Sequence, residues 1–194
     1  MKKELYIFRH GETDWNKEGR SASWSNIPLN QTGILQAENL SKVLKNIDLE
    51  IIYSSPILRA LETAKIVAKN CNIKIITNDA LKERNNGILV GSIIKKDFPY
   101  IYKKIGENRD YTPPKGESLN QLKHRVINFI ENIVQTSDKN IIGICTHNGV
   151  AMEILETYSD VKTIGFYIPN TSYYKLIWNG KSFKVNDHPE LKAK

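Results

Sequence analysis

Apolar runs alternating with helically spaced segments predict an α/β protein, a three-layer α/β/α sandwich on a mostly parallel mixed sheet. Two observations carry this expectation. Residues 141–146 form a continuous apolar run of the kind a strand buried on both faces needs. Asn179-Gly180 joins the runs 174–178 and 183–185 as a hairpin, which adds an antiparallel pair near the C-terminus.

The first strand is the apolar run Leu5-Tyr6-Ile7-Phe8, which stops at Arg9, His10 and Gly11. Residues 14–29 are polar and aromatic and read as a loop folded over a cleft. Thr32 is the expected cap of the next helix, with Leu35, Leu40, Val43, Leu44 and Ile47 on its apolar face. Residues 51–53 form a second strand. Ser54-Ser55-Pro56 then predicts a serine cap and a proline in the first turn of a helix carrying Leu58, Leu61, Ala64, Ile66 and Val67. Residues 73–77 form a third strand and 78–91 a turn-rich passage. Residues 92–105 form a short irregular helix interrupted by Pro99. Ser118 and Gln121 have the spacing of a capping box before a long helix through Leu122, Val126, Phe129, Ile130 and Val134. A further helix begins at His147-Asn148-Gly149. One domain spans residues 1–194, with about 187–194 as a loose polar tail.

Composition narrows the function. The 194 residues are 40% hydrophobic and 25% charged, an ordinary balance for a globular domain. The net charge of +7 is spread along the chain without a dense basic run, which argues against a nucleic-acid partner. Cys71 and Cys145 make no disulfide framework, and neither begins a Cys-x5-Arg phosphatase pattern. No segment is long enough to span a bilayer, and the expected location is the cytoplasm.

If the strands are parallel, Arg9 and His10, Arg59, Glu83 and His147 all gather on one rim of the sheet, where open α/β sheets bind ligands. Two arginines and two imidazoles make a pocket for a dianion, and Glu83 is the one acid among them. That set suits phosphoryl transfer, where positioning and charge stabilisation do most of the work.

The chain resembles the histidine phosphatase superfamily, in its cofactor-dependent phosphoglycerate mutase-like branch. The resemblance rests on Arg9-His10-Gly11-Glu12-Thr13 with Asn16, Pro28-Leu29 with Gly33 and Gln36-Ala37, and Ser54-Ser55-Pro56 leading to Arg59-Ala60. It continues through Thr63-Ala64, Leu81 with Glu83, Gly116-Glu117-Ser118, Thr146-His147 with Gly149, and Asn170-Thr171-Ser172. It implies a phosphoglycerate mutase-like fold and a phosphohistidine on His10. Glu83 is then the general acid and base, and Arg9, Asn16, Arg59, His147 and Asn148 bind the phosphoryl group. Arg84 is a substrate-binding residue. Neither metal nor cofactor is implied, and the four histidines (His10, His124, His147, His188) lack zinc-ligand spacing. Glu12, Glu62 and Glu117 are rival acids beside the same motifs.

The partner is a small phosphorylated metabolite, and the preferred activity is a phosphatase acting on phosphomonoesters such as alpha-ribazole phosphate. The interval from Gly87 to Gly116 is short, and the chain has no clear equivalent of a mutase's grip on a second charged group beyond Arg84, Arg109 and scattered lysines. A phosphoglycerate mutase is the alternative. A binding module without catalysis is the reading from another class, and it would be marked by loss of His10, an arginine, His147 or the acid.

Overall fold

A computed structural model describes residues 1–162, 166–186 and 191–193. Its main sheet has the order β3-β2-β4-β1-β6-β7. The strands are β1 (Lys3–Arg9), β2 (Ile51–Ser54), β3 (Lys74–Thr77), β4 (Ile141–Thr146), β6 (Tyr173–Trp178) and β7 (Phe183–Asn186). The first four are mutually parallel, and β6 and β7 are antiparallel. The four-strand parallel block and the closing hairpin therefore match the expectation.

Period-two alternation sorts the strand residues between two layers. Tyr6, Phe8 and Ile52 pack with Leu40, Leu44, Ala60, Ala64 and Val67 of helices α2 (Gln31–Leu44) and α3 (Leu58–Cys71). Leu5, Ile7, Ile142 and Ile144 face the other way, onto α6 (Leu119–Thr136) and α7 (Asn148–Tyr158). At roughly 1.5–3 kcal/mol per fully buried large aliphatic side chain, these two faces hold the sheet between its helices.

Several boundaries differ from those expected. Residues 14–17 form a helical turn, α1 (Asp14–Lys17), because Thr13 and Asn16 complete a capping box. Asn30, not Thr32, caps α2: its Oδ1 accepts from the Gly33 N–H at 2.8 Å while its own N–H donates to the Glu12 carbonyl. The buried stripe of α2 is Gly33, Ala37, Leu40, Ser41 and Leu44, whereas Leu35 and Val43 are exposed. Helix α3 begins at Leu58 rather than at Pro56, and its deeply buried face is Ala60, Ala64, Val67 and Ala68. Pro99 starts α5 (Pro99–Glu107) after α4 (Ile94–Asp97), and the Ser118–Gln121 capping box is present. Of the expected loose tail, residues 187–190 and 194 lie outside the described residues. Lys192–Ala193 is strand β8, paired antiparallel with β5 (Phe166–Tyr167) in a small second sheet.

Parallel pairing brings the ends of β1, β2 and β4 to one rim. The register Arg9↔Thr146 puts His10 and His147 side by side. The antiparallel pairing of β6 returns residues 168–172 to that same rim, since Phe8 pairs with Tyr173.

Candidate functional site

His10 is almost wholly buried where β1 ends. Its Nδ1 lies 2.6 Å from the Gly11 carbonyl, and its Nε2 lies 3.1 Å from Arg59 Nε. A carbonyl only accepts and a guanidinium only donates, so Nδ1 carries the proton and Nε2 holds a lone pair. Burial, then the charges of Arg59 and Arg9, hold the His10 pKa well below 6.5, against the pull of the Gly11 bond. The ring is neutral at neutral pH, with its free electron pair directed at a cation.

Gly11 is required by close approach. A Cβ there would collide with the Gly33 carbonyl, and one at Gly33 would collide with that of Glu12. The turn after β1 thus packs directly on the first turn of α2. The Gly11 N–H donates to Thr63 Oγ1 at 3.0 Å, which ties this turn to α3 as well.

Arg59 reaches the rim from the first turn of α3. Beyond His10 it donates to the carbonyls of Ser25 (3.0 Å) and Ser23 (2.8 Å), so it also holds the 21–25 loop in place. Arg9 donates from Nη1 to the Ile168 carbonyl at 2.6 Å, while its Nε has no partner among the described residues. Burial pulls both guanidinium pKa values down to about 10, opposed by the charge of Glu83, so both remain cationic at neutral pH.

His147 lies beside His10, with ring centroids 5.1 Å apart and planes at 61°. Its Nε2 is 2.8 Å from Ser55 Oγ, and Nδ1 has no partner among the described residues. Burial, then Arg59, His10 and Arg9, depress its pKa well below 6.5. Ser55 also accepts from the Ile57 N–H, but Ile57 is extended (φ −66°, ψ 133°), so no helix continues from Pro56 and α3 starts at Leu58.

Glu83 lines the same cavity as His10. Its carboxylate accepts from the N–H groups of Arg84 (2.8 Å) and Gly149 (3.1 Å), and its carbonyl accepts from Trp24 Nε1 (2.6 Å) and Arg125 (3.0 Å). A Cβ at Gly149 would collide with the Glu83 carboxylate, so glycine is needed there to seat the acid. The rival acids are committed elsewhere. Glu12 binds Asn30, Glu62 binds the Leu29 N–H, and Glu117 pairs with Arg125 at 2.6 Å and accepts from the Asn85 N–H.

Asn16 uses Oδ1 to accept from Thr13 N–H and Asn170 Nδ2, and it lines the cavity beside His10. Asn148 opens α7 and its Oδ1 accepts from the Ile168 N–H at 2.8 Å. Arg84 is buried, donates from Nε to Asn86 Oδ1 at 2.8 Å, and lines an adjoining chamber rather than the one around His10. His124 is exposed on α6. Cys145 is buried, donates to the Ala60 carbonyl, and burial pushes its thiol pKa up.

The cavity around His10 measures about 360 Å³ and includes Arg9, Arg59, Glu83, Asn16 and Asn148 in its walls. Arg20, Ser23 and Lys95 also line it, and sequence reasoning did not single them out as site residues. Arg20 stacks on Trp15, with its Cζ 4.2 Å from the ring centroid, and pairs with Glu18. The positioning roles of Ser55, Trp24 and Arg125 were missed too. Only the resemblance through Asn170-Thr171-Ser172 pointed to the segment where Asn170 donates to the His10 carbonyl at 2.9 Å.

A parallel-sheet rim bearing two neutral histidines between buried arginines defines a class of proteins that handle phosphoryl groups. A family model described as "Histidine phosphatase superfamily (branch 1)" matches residues 5–190, and the chain belongs to that superfamily. It is 27% identical over 192 residues to "Uncharacterized phosphatase PhoE" of Bacillus subtilis, covering 94% of each chain. It is 35% identical over 143 residues to "2,3-bisphosphoglycerate-dependent phosphoglycerate mutase" of Cytophaga hutchinsonii, covering 70% of this chain and 67% of that one. The solved structure titled "Bacillus stearothermophilus YhfR" superposes with a TM-score of 0.88 at 29% identity, covering 98% of both chains.

Proposed function

We propose that this chain is a phosphatase that hydrolyses small phosphomonoesters through a phosphohistidine on His10. The observation that carries this reading is the His10 ring itself: neutral, Nδ1–H fixed on Gly11, and Nε2 turned to Arg59.

In the first step Nε2 bonds to phosphorus as the bond from phosphorus to the alcohol oxygen breaks. The Glu83 carboxyl gives its proton to that departing oxygen. Arg9, Arg59 and His147, with Asn16 and the α7 N-terminus at Asn148, hold the phosphoryl oxygens as charge develops. In the second step water bonds to phosphorus, its proton passes to Glu83, and the N–P bond breaks to release inorganic phosphate. Two buried arginines beside a single carboxyl group leave positive charge over whether or not that carboxyl holds its proton, and a phosphate dianion compensates it. The residues whose loss would mark an inactive binding module are all present.

A mutase returns the phosphoryl group to a substrate hydroxyl and must grip a second charged end meanwhile. Arg109, one of the candidates for that grip, is occupied by Glu153 at 2.6 Å and Glu156 at 3.8 Å, which favours hydrolysis. A cytoplasmic setting belongs to the same proposal; among the described residues no helix is long and apolar enough to cross a membrane.

The test is product partition. Incubated with 3-phosphoglycerate, the enzyme is expected to release inorganic phosphate faster than it forms 2-phosphoglycerate, without a need for added 2,3-bisphosphoglycerate. Fast isomerisation that depends on the bisphosphate, with little phosphate released, would make it a mutase.

A further inference from the structure

Ser55 is fully buried between the end of β2 and the start of α3, and its N–H donates to the Cys145 carbonyl at 3.0 Å. The register that pairs Ser54 with Cys145 thus brings Ser55 beside His147, which follows the end of β4. The Ser55 hydroxyl has two neighbours among the described residues: the Ile57 N–H, which donates to it at 3.2 Å, and His147 Nε2 at 2.8 Å. It has one proton to give, and a backbone N–H cannot receive it. If His147 carried its proton on Nε2, the serine would accept twice, and its own proton would be buried without an acceptor, which is costly. If the ring proton sits on Nδ1, the hydroxyl donates to the bare Nε2 and both groups are satisfied. Nδ1 is then a buried N–H with no partner among the described residues, in a ring 5.1 Å from that of His10. Burial and the neighbouring cations keep this imidazole neutral, so it has a single ring proton to place. A bare Nδ1 would repel a phosphoryl oxygen, whereas an Nδ1–H donates to it.

We infer that Ser55 is a positioning residue for phosphoryl transfer: its hydroxyl donates to His147 Nε2, fixes the neutral ring as the Nδ1–H tautomer, and so makes His147 a hydrogen-bond donor to the phosphoryl oxygens. The inference rests on the reading that a phosphoryl group is bound against His10, and it adds how His147 engages that group. The two neighbouring rings then hold their protons on the same atom by opposite means. A carbonyl that only accepts draws the His10 proton to Nδ1 and leaves Nε2 to attack phosphorus. A hydroxyl that donates to Nε2 leaves the His147 proton on Nδ1 for binding.

The experiment is nitrogen NMR on protein labelled with ¹⁵N-histidine, in which a protonated ring nitrogen and a bare one resonate far apart. At neutral pH the wild-type protein is expected to show His147 as the Nδ1–H tautomer, and saturating inorganic phosphate to shift its Nδ1 signal. Ser55→Ala should populate the Nε2–H tautomer and lose about 10–100-fold in kcat/KM for phosphomonoesters, up to the cost of one missing donor at a developing anion. A wild-type Nε2–H tautomer, an Nδ1 signal that phosphate leaves unmoved, or a Ser55→Ala enzyme with wild-type kcat/KM overturns the inference. So does a Ser55→Ala enzyme that is slow yet keeps the Nδ1–H tautomer, since Ser55 would then only support the fold. The wild-type spectra decide even if that variant fails to fold. Hydrolysis of p-nitrophenyl phosphate by a wild-type enzyme with the Nε2–H tautomer removes only the role of Ser55. If no phosphomonoester is turned over while phosphate still shifts Nδ1, the phosphatase reading fails and the tautomer assignment stands.

Discussion

The two chambers that meet at Glu83 are built by opposite means. The one around His10 is made at strand ends and helix starts, by residues locked in hydrogen bonds to backbone, and its cations outnumber its single acid. The second takes its further walls from α5, α6 and α7, where aliphatic surfaces stand beside charged groups, and Nη1 of the buried Arg84 has no partner among the described residues. On the proposed function, the phosphoryl group and the alcohol portion of a substrate are handled by different parts of the fold. A chain can change the second without disturbing the first, which fits a superfamily whose relatives carry both phosphatase and mutase names.

The largest test of this division falls on the residue the chambers share. Glu83→Gln should lower kcat for alkyl phosphates by about 10²–10⁴-fold. p-Nitrophenyl phosphate, whose leaving group hardly needs a proton, should lose far less. Equal losses on both would make Glu83 a positioning residue and remove the proton transfer from the boundary.

Arg59→Met should cost every phosphomonoester about 10²–10³-fold in kcat/KM, whatever its alcohol, because the guanidinium acts only on the phosphoryl side. A loss that varies with the alcohol would mean the two chambers are not separable. Loosening of the 21–25 loop, held by the same guanidinium, would show as faster amide exchange there.

A smaller effect reads the electrostatics of the first chamber. Folded His10 titrates well below 6.5 because it is buried and faces Arg59 and Arg9, while the unfolded chain binds a proton near pH 6.5. As pH falls below that value the unfolded state takes up the proton first, so stability drops by about 1.4 kcal/mol per pH unit from this one group. His10→Gln should make the pH 6 to pH 5 decline shallower by about that amount in urea unfolding. An unchanged slope would mean His10 is not held neutral.

The sequence makes the first chamber largely legible and the second hardly at all, and the reason is physical. Arg9-His10, Arg59 and His147 each stand where an apolar run breaks or a helix starts, so strand direction alone gathers them. Arg84, expected to bind substrate, lines the adjoining chamber. Ile105, Leu119 and Met152 of the same chamber come from helices far apart in sequence, and nothing in local spacing sets them apart from core residues. The errors in the helices have a similar origin. The buried face of α2 includes Gly33, Ala37 and Ser41, Gly33 being small because the turn after β1 presses on it, so counting large apolar residues points to Leu35 and Val43, which are exposed. Asn30 won the cap over Thr32 through its tertiary bonds to Glu12, which no local pattern displays. Strands β5 and β8, of two residues each, are too short to show any period.

The central claim is that phosphate passes through His10, and trapping the intermediate tests it most directly. Wild-type protein mixed with a ³²P-labelled phosphomonoester and quenched within milliseconds should carry label that is stable in alkali, lost in acid, and mapped to the peptide containing His10. His10→Ala should carry none and turn over no substrate while keeping the wild-type circular dichroism spectrum. Wild-type turnover by that variant, or acid-labile label on a residue other than His10, would contradict the account.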